Sequence, residues 1–88
     1  MKAKGLTSSQ IRAARALLRW RADDLARASA LGLTTIKRAE LAEDETSLTA
    51  ANDLAVRRAL EAAGVMFIDD DGTAGPGVRL RKPQRKRA

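Results

Sequence analysis

Residues 10–41 read QIRAARALLRWRADDLARASALGLTTIKRAEL and contain three short stretches of helical periodicity that decide the fold. In each stretch the apolar residues recur at spacings of three and four, the period of an amphipathic helix. Two breaks separate the stretches, and the second contains Gly32, a residue that interrupts helices. The sequence therefore predicts helices at Ser8–Leu18, Ala22–Ser29 and Leu33–Leu41.

The start of the first helix carries the clearest local signal. Thr7 and Gln10 have the spacing of a capping box, in which each side chain binds the backbone N–H of the other residue. Leu6 and Ile11 occupy the two positions of a hydrophobic staple around that cap. We expect Trp20 to close the far end of this helix as a core residue.

The second and third helices are predicted to bury narrow inner faces. Asp23 and Asp24 fall in the first turn of the second helix, where carboxylates complement the helix dipole. In the third helix Ile36, Ala39 and Glu40 are expected to point inward. Its outward side is then polar and basic, with Thr34, Thr35, Lys37 and Arg38.

The chain changes character twice after residue 41. Residues 42–47 are acidic and polar without periodicity, which is typical of a loop. A fourth helix is predicted to begin after Ser47 or Thr49 and to end at Ala63, with Gly64 as the stop. The period then becomes that of strands. We predict a β-hairpin with strands at Val65–Ile68 and 78–81, followed by a disordered basic tail at 82–88.

Composition excludes several classes of function. Eighty-eight residues suffice for one core, and the absence of cysteine and histidine excludes disulfides, thiolate chemistry, histidine catalysis and most zinc sites. The acidic clusters at 43–45 and 69–71 are expected in exposed loops, and the second lacks the ligand spacing of a calcium loop. We therefore expect that the protein is not an enzyme and that it has no catalytic residue, no metal site and no cofactor.

Charge is distributed unevenly along the chain. Residues 1–38 hold nine bases and two acids, residues 39–77 hold two bases and nine acids, and residues 78–88 hold six bases and no acid. Two basic regions thus flank an acidic middle, and either could meet a polyanion. No apolar run approaches the ~18 residues of a membrane helix. We expect a cytoplasmic, nucleoid-associated protein with no membrane contact.

Two short helices joined by a turn, the second with basic residues outward, form the pattern of a helix-turn-helix. The matching residues extend beyond that pair. Residues 10–18 match the first helix of the Cro/repressor-type (xenobiotic-response-element, XRE) helix-turn-helix family, and the chain resembles small stand-alone bacterial members of that family over about residues 6–81. The resemblance is carried further by Leu25-Ala26-Arg27, by Thr34-Thr35-Ile36-Lys37-Arg38-x-Glu40, by 58–68 and by 75–80.

The resemblance implies roles for particular side chains. Arg15 and Glu40 match a pair that forms an internal salt bridge in this family. The base-facing positions of the third helix are occupied by Leu33, Thr34, Lys37 and Arg38. The alternative for Lys37 and Arg38 is that they bind only phosphates. Contacts to DNA phosphates are expected from Thr35, which could instead cap the helix, and from Arg12, Arg19 and Arg21.

Several positions depart from the family pattern. The family usually has glutamine at Ala22 for a phosphate contact, and glycine at Ala30, where the turn needs a positive φ. Alanine at 30 implies either backbone strain or a different turn. A Ser or Thr cap usually stands at Gly32, a bulky apolar residue at Ala39 and a glycine at Ala42.

These observations predict a mainly α fold with a four-helix helix-turn-helix domain at 6–64, a hairpin at 65–81 and a basic tail. The leading hypothesis is a sequence-specific transcriptional regulator, a repressor, which binds double-stranded DNA as a homodimer through the hairpin strands. An alternative is an antitoxin-like or adaptor protein whose basic tail binds a protein partner. A third is RNA or non-specific nucleic-acid binding through the tail, which the lack of interleaved aromatics disfavours.

Overall fold

The computed structural model describes residues 5–43 and 45–83 and has four helices followed by an antiparallel two-stranded hairpin. The mainly α fold class is therefore confirmed, and the first three helices have the predicted bounds. The elements are α1 (Ser8–Leu18), α2 (Ala22–Ser29), α3 (Leu33–Leu41), α4 (Ala50–Ala62), β1 (Val65–Ile68) and β2 (Gly77–Leu80).

Local capping explains where the helices begin and end. The Thr7 hydroxyl accepts from the Gln10 N–H at 3.1 Å, and the Gln10 Oε1 accepts from the Thr7 N–H at 2.9 Å, so the capping box is present. At α4 the Thr49 hydroxyl accepts from the Asn52 N–H at 3.1 Å. Gly64 follows α4 with a φ of 111°, a conformation that favours glycine. The caps that the sequence predicts therefore set the helix bounds.

The connection between α2 and α3 contains a strained alanine. Ala30 ends α2 with φ 60° and ψ 30°, which is the left-handed conformation. The N–H of Leu31 then binds the carbonyl of Ala26 at 3.0 Å. The turn thus keeps its left-handed geometry with alanine in place, and of the two alternatives that the sequence left open, the strained one is observed.

All four helices and the hairpin share one core. Leu6 and Ile11, the staple pair around the α1 cap, are both buried. Trp20 is partly buried and packs against the same cluster, as expected. The buried apolar residues are Leu6, Ile11, Ala14, Leu25, Ala26, Ile36, Ala39, Val56, Leu60 and Val65.

The hairpin is fastened to α1 by one side chain. The Gln10 Nε2 donates to the carbonyls of Ile68 and Gly77 at 3.2 and 3.1 Å, and these two residues are partners in the strand register. Gln10 is nearly fully buried and also completes the α1 cap. The same amide therefore fixes the start of α1 and the position of the hairpin.

The second strand lies one residue earlier than predicted. The sequence predicted 78–81, whereas β2 is Gly77–Leu80. Gly77 extends the strand because it pairs with Ile68, a contact that alternation of apolar and basic residues does not indicate. The Arg81 N–H still binds the Gly64 carbonyl at 2.7 Å, just beyond the strand end.

Lys82 and Pro83 follow β2 as exposed residues. The rest of the predicted tail, 84–88, lies outside the described residues. Among the helices of the described ranges, none combines the length and the apolar character needed to cross a membrane.

Candidate nucleic-acid interface

One side of α3 is exposed and the other is buried. Ile36, Ala39 and Glu40 are buried, as the sequence predicts. The opposite side carries Leu33, Thr34, Lys37 and Arg38, and all four are exposed. These are the four residues that the family resemblance places toward base edges. We call them the outer face of α3.

The cations of this outer face are not neutralised by described neighbours. Neither Lys37 nor Arg38 forms an ion pair with another residue of the ranges 5–43 and 45–83. By contrast, Arg27 on α2 binds Asp24 at 2.7 Å and lies 3.7 Å from Asp23. Lys37 and Arg38 are thus available to bind an anion or a base edge.

The buried side of α3 is tied to α1 by a bidentate ion pair. The Arg15 Nε lies 2.6 Å from the Glu40 Oε2, and the Arg15 Nη2 lies 2.7 Å from the Oε1. The Arg15 Nη1 also donates to the Trp20 carbonyl at 2.9 Å. The hydrogen bonds to Glu40 raise the pKa of Arg15. This is the salt bridge that the resemblance implies, and it joins α1 to α3 on the buried side.

Two further α1 side chains cap the carboxyl end of α3. The Ser8 Oγ donates to the carbonyl of Ala39 at 2.7 Å, and the Arg12 Nη1 donates to the carbonyl of Glu40. Carbonyls in the last turn of a helix lack partners within the helix, so both bonds satisfy groups that would otherwise be open. The carboxyl end of α3, the helix that carries the outer face, is therefore bound by two side chains of α1.

The structure gives Arg12 a contact that the sequence did not suggest. Its guanidinium binds the α3 carbonyl and also the Ser9 Oγ at 3.2 Å, and the phosphate contact predicted for it stays a prediction. The capping role depends on residues 28 positions apart, so no local signal could reveal it.

The remaining phosphate candidates lie around α2 and α3. Arg19 is exposed at the end of α1 with a φ of 58°. Arg21 is exposed and lies 3.4 Å from Asp23. Thr35 is half-buried beside the outer face. The structure does not bring these three side chains into contact with one another, and their phosphate role stays a prediction.

Leu41 is a residue that the sequence reasoning missed. Its side chain is 83% exposed, against 38% for Leu33. The spacing of Leu33, Lys37 and Leu41 is four residues each, so the three lie on one side of α3. A helical projection of α3 would have placed Leu41 outside.

One cavity of the described residues lies away from α3. It has a volume of about 670 Å³ between the segment before α1 and the start of α4, and Asp53 and Glu45 contribute its acidic groups. Asp53 is engaged there, because its Oδ1 accepts from the Leu6 N–H at 2.9 Å. Within the described residues no cluster of acidic side chains has the arrangement of a metal site.

A scan against protein-family models finds no match to this chain, and a search of the curated proteins finds none either. The resemblance to the XRE family therefore rests on the motifs quoted above.

Proposed function

We propose that this protein is a sequence-specific DNA-binding transcriptional regulator in which α2 and α3 form a helix-turn-helix. The observation that carries the proposal is the outer face of α3. It is exposed, it carries two cations without an ion pair to a described residue, and its helix is fixed to α1 on the buried side. An α-helix fits the major groove of B-DNA, where side chains reach base edges.

The chemistry of the outer face suggests what it reads. Arg38 and Lys37 can donate to the O6 and N7 of guanine, whereas Leu33 and the Thr34 methyl can contact a thymine methyl group. With nine residues and about 1.5 Å of rise per residue, α3 is about 13 Å long. A helix of that length covers about four base pairs at ~3.4 Å each, which is a small target for one protomer.

A homodimer contacts a longer DNA site than one protomer does. Two half-sites about one helical turn apart, read by two copies, double the number of contacted bases. For the contact between copies we propose the outward side of the hairpin, where Met66 is 38% and Ile68 is 43% exposed. The other side, with Val65 and Phe67, already packs on the core.

The test is selection of binding sites from a random duplex pool at roughly physiological salt, where non-specific attraction to phosphates is weakened. We expect enrichment of an inverted repeat. Loss of all binding as salt rises, with no enriched sequence, would contradict the proposal.

A second candidate is a protein-interaction module of the antitoxin or adaptor type. Exposed large apolar residues outside α3, namely Leu54, Met66 and Ile68, favour it. Under this alternative the selection yields no sequence, and the exposed apolar residues become protected when the partner binds.

A further inference from the structure

A shallow groove runs along the hairpin on the side of β2. Its volume is about 250 Å³, and the α1 residue that contributes to it is Leu17. The other lining residues come from β2 and the segment after it, and are Val78, Arg79, Leu80, Lys82 and Pro83. The groove is thus apolar at its floor and basic at its rim, and α3 does not contribute to it.

The backbone of β2 presents unused hydrogen-bonding groups to this groove. The Arg81 N–H donates to the carbonyl of Gly64, which lies opposite it in the strand register. This bond shows which opposite pairs of β1 and β2 are hydrogen-bonded. In an antiparallel pair, residues that exchange bonds alternate with residues that do not. Met66 therefore exchanges bonds with Arg79, and the N–H and C=O groups of Val78 and Leu80 point away from β1.

The opposite edge of the hairpin is more restricted. On β1 the corresponding outward backbone groups belong to Val65, which is buried with 0% exposure, and to Phe67, which is half-buried with the Arg57 guanidinium 5.1 Å from the centre of its ring. Val78 and Leu80 are only half-buried. The β2 edge differs in that both of its residues with outward groups line the groove beside Leu17 and neither is fully buried. A strand edge whose N–H and C=O groups lack strand partners is a template for another strand.

Charge decides which strand fits that edge. Residues 78–83 contain three bases, Arg79, Arg81 and Lys82, and no acid. Two copies of β2 paired across a two-fold axis would bring these like charges together, which is destabilising. The chain's own continuation, 84–88, adds three more bases and supplies no complementary charge.

A nucleic acid is a poorer match than a peptide. Phosphates accept hydrogen bonds but donate none, so a phosphate backbone cannot pair with the outward carbonyls of Val78 and Leu80. They would also leave the apolar contact with Leu17 unused. An extended peptide supplies donors, acceptors and apolar side chains together.

We propose that the edge of β2 binds an extended segment of a partner protein that alternates acidic and apolar residues, and that this segment adds a third strand to the hairpin. Backbone bonds at Val78 and Leu80 hold it, its apolar side chains face Leu17, and its carboxylates face the basic rim. This surface is separate from the outer face of α3, so partner and DNA can bind together.

The experiment uses the full chain as bait for a library of random linear peptides of strand length, followed by ¹⁵N NMR with the best peptide. We expect enriched peptides with alternating acidic and β-branched residues. We also expect the largest amide shifts at Val78 and Leu80. Val78→Pro removes an outward N–H that the hairpin does not use, and proline is tolerated at such edge positions. It should lower peptide affinity at least about tenfold.

Charge reversal supplies the matched comparison. Arg79→Glu should weaken the peptide about tenfold, whereas Arg58→Glu, the same change on the exposed side of α4, should not. Dispersed NMR spectra show that each variant is folded. No enrichment, equal binding by Val78→Pro, or protection of the outward Val78 and Leu80 amides by duplex DNA or by the β2 edge of a second copy would each overturn the proposal.

Discussion

Ala30→Gly should stabilise the protein, although glycine usually destabilises a helical region. Ala30 stands at the end of α2 with φ 60° and ψ 30°, where an L-residue places its Cβ against backbone. The residue is exposed, so its methyl group contributes little to the core.

The magnitude follows from two opposing terms. A left-handed conformation costs an L-residue about 1–2 kcal/mol, and glycine avoids that cost. Glycine in turn loses more conformational entropy on folding, about 0.5–1 kcal/mol relative to alanine. The expected net gain is about 0.5–1 kcal/mol in the free energy of unfolding, which in a chain of this size raises Tm by roughly 2–8 °C.

Urea unfolding followed by far-UV circular dichroism measures the difference directly. Ala13→Gly is the control, because Ala13 is exposed in the interior of α1 and should lose about 1 kcal/mol on the same substitution. If Ala30→Gly destabilised the protein as much as Ala13→Gly, the left-handed turn between α2 and α3 would be wrong.

Three further predictions concern the contacts that hold α1, α3 and the hairpin. Arg15→Met and Glu40→Gln should each cost about 1–3 kcal/mol, and a double-mutant cycle should show that the two losses are not additive. Gln10→Leu should cost about 1–3 kcal/mol, because two hairpin carbonyls lose a donor; unchanged hydrogen exchange in β1 and β2 would contradict this. The backbone N–H groups of Ala74 and Thr73 bind the Asp71 carboxylate and lower its pKa. The contribution of Asp71 to stability is therefore present above the pKa that it has in the unfolded chain, and it is lost as pH falls through its lower pKa in the folded protein. Asp71→Asn should therefore flatten the acid limb of the stability curve, and an identical limb would exclude this role.

Much of the fold could be predicted because its determinants are local. Thr7 and Gln10, which lie within four residues of each other, indicate where α1 begins, and Gly64 indicates where α4 ends. The second strand was predicted one residue late, because Gly77 belongs to it only through its pairing with Ile68.

The candidate site was less accessible to sequence reasoning. Periodicity identified which side of α3 is exposed, since burial of Ile36 and Ala39 follows from spacing. It could not show that Arg12 caps α3, because that bond joins residues far apart in the chain. It also did not assign a backbone conformation to Ala30, where the fold imposes a φ that alanine disfavours.

The central claim is that the outer face of α3 reads DNA sequence. The most direct measurement is the ratio of affinities for the selected duplex and a scrambled duplex at the same roughly physiological salt, in the wild type and in Arg38→Ala. We expect a wild-type ratio on the order of 10³ or more. Arg38→Ala should lower affinity for the selected duplex by about 1–3 kcal/mol and relax preference at one base position. Arg58→Ala is the control and should keep the wild-type ratio of affinities. A ratio near one in the wild type, or an unchanged sequence preference in Arg38→Ala, would contradict the account.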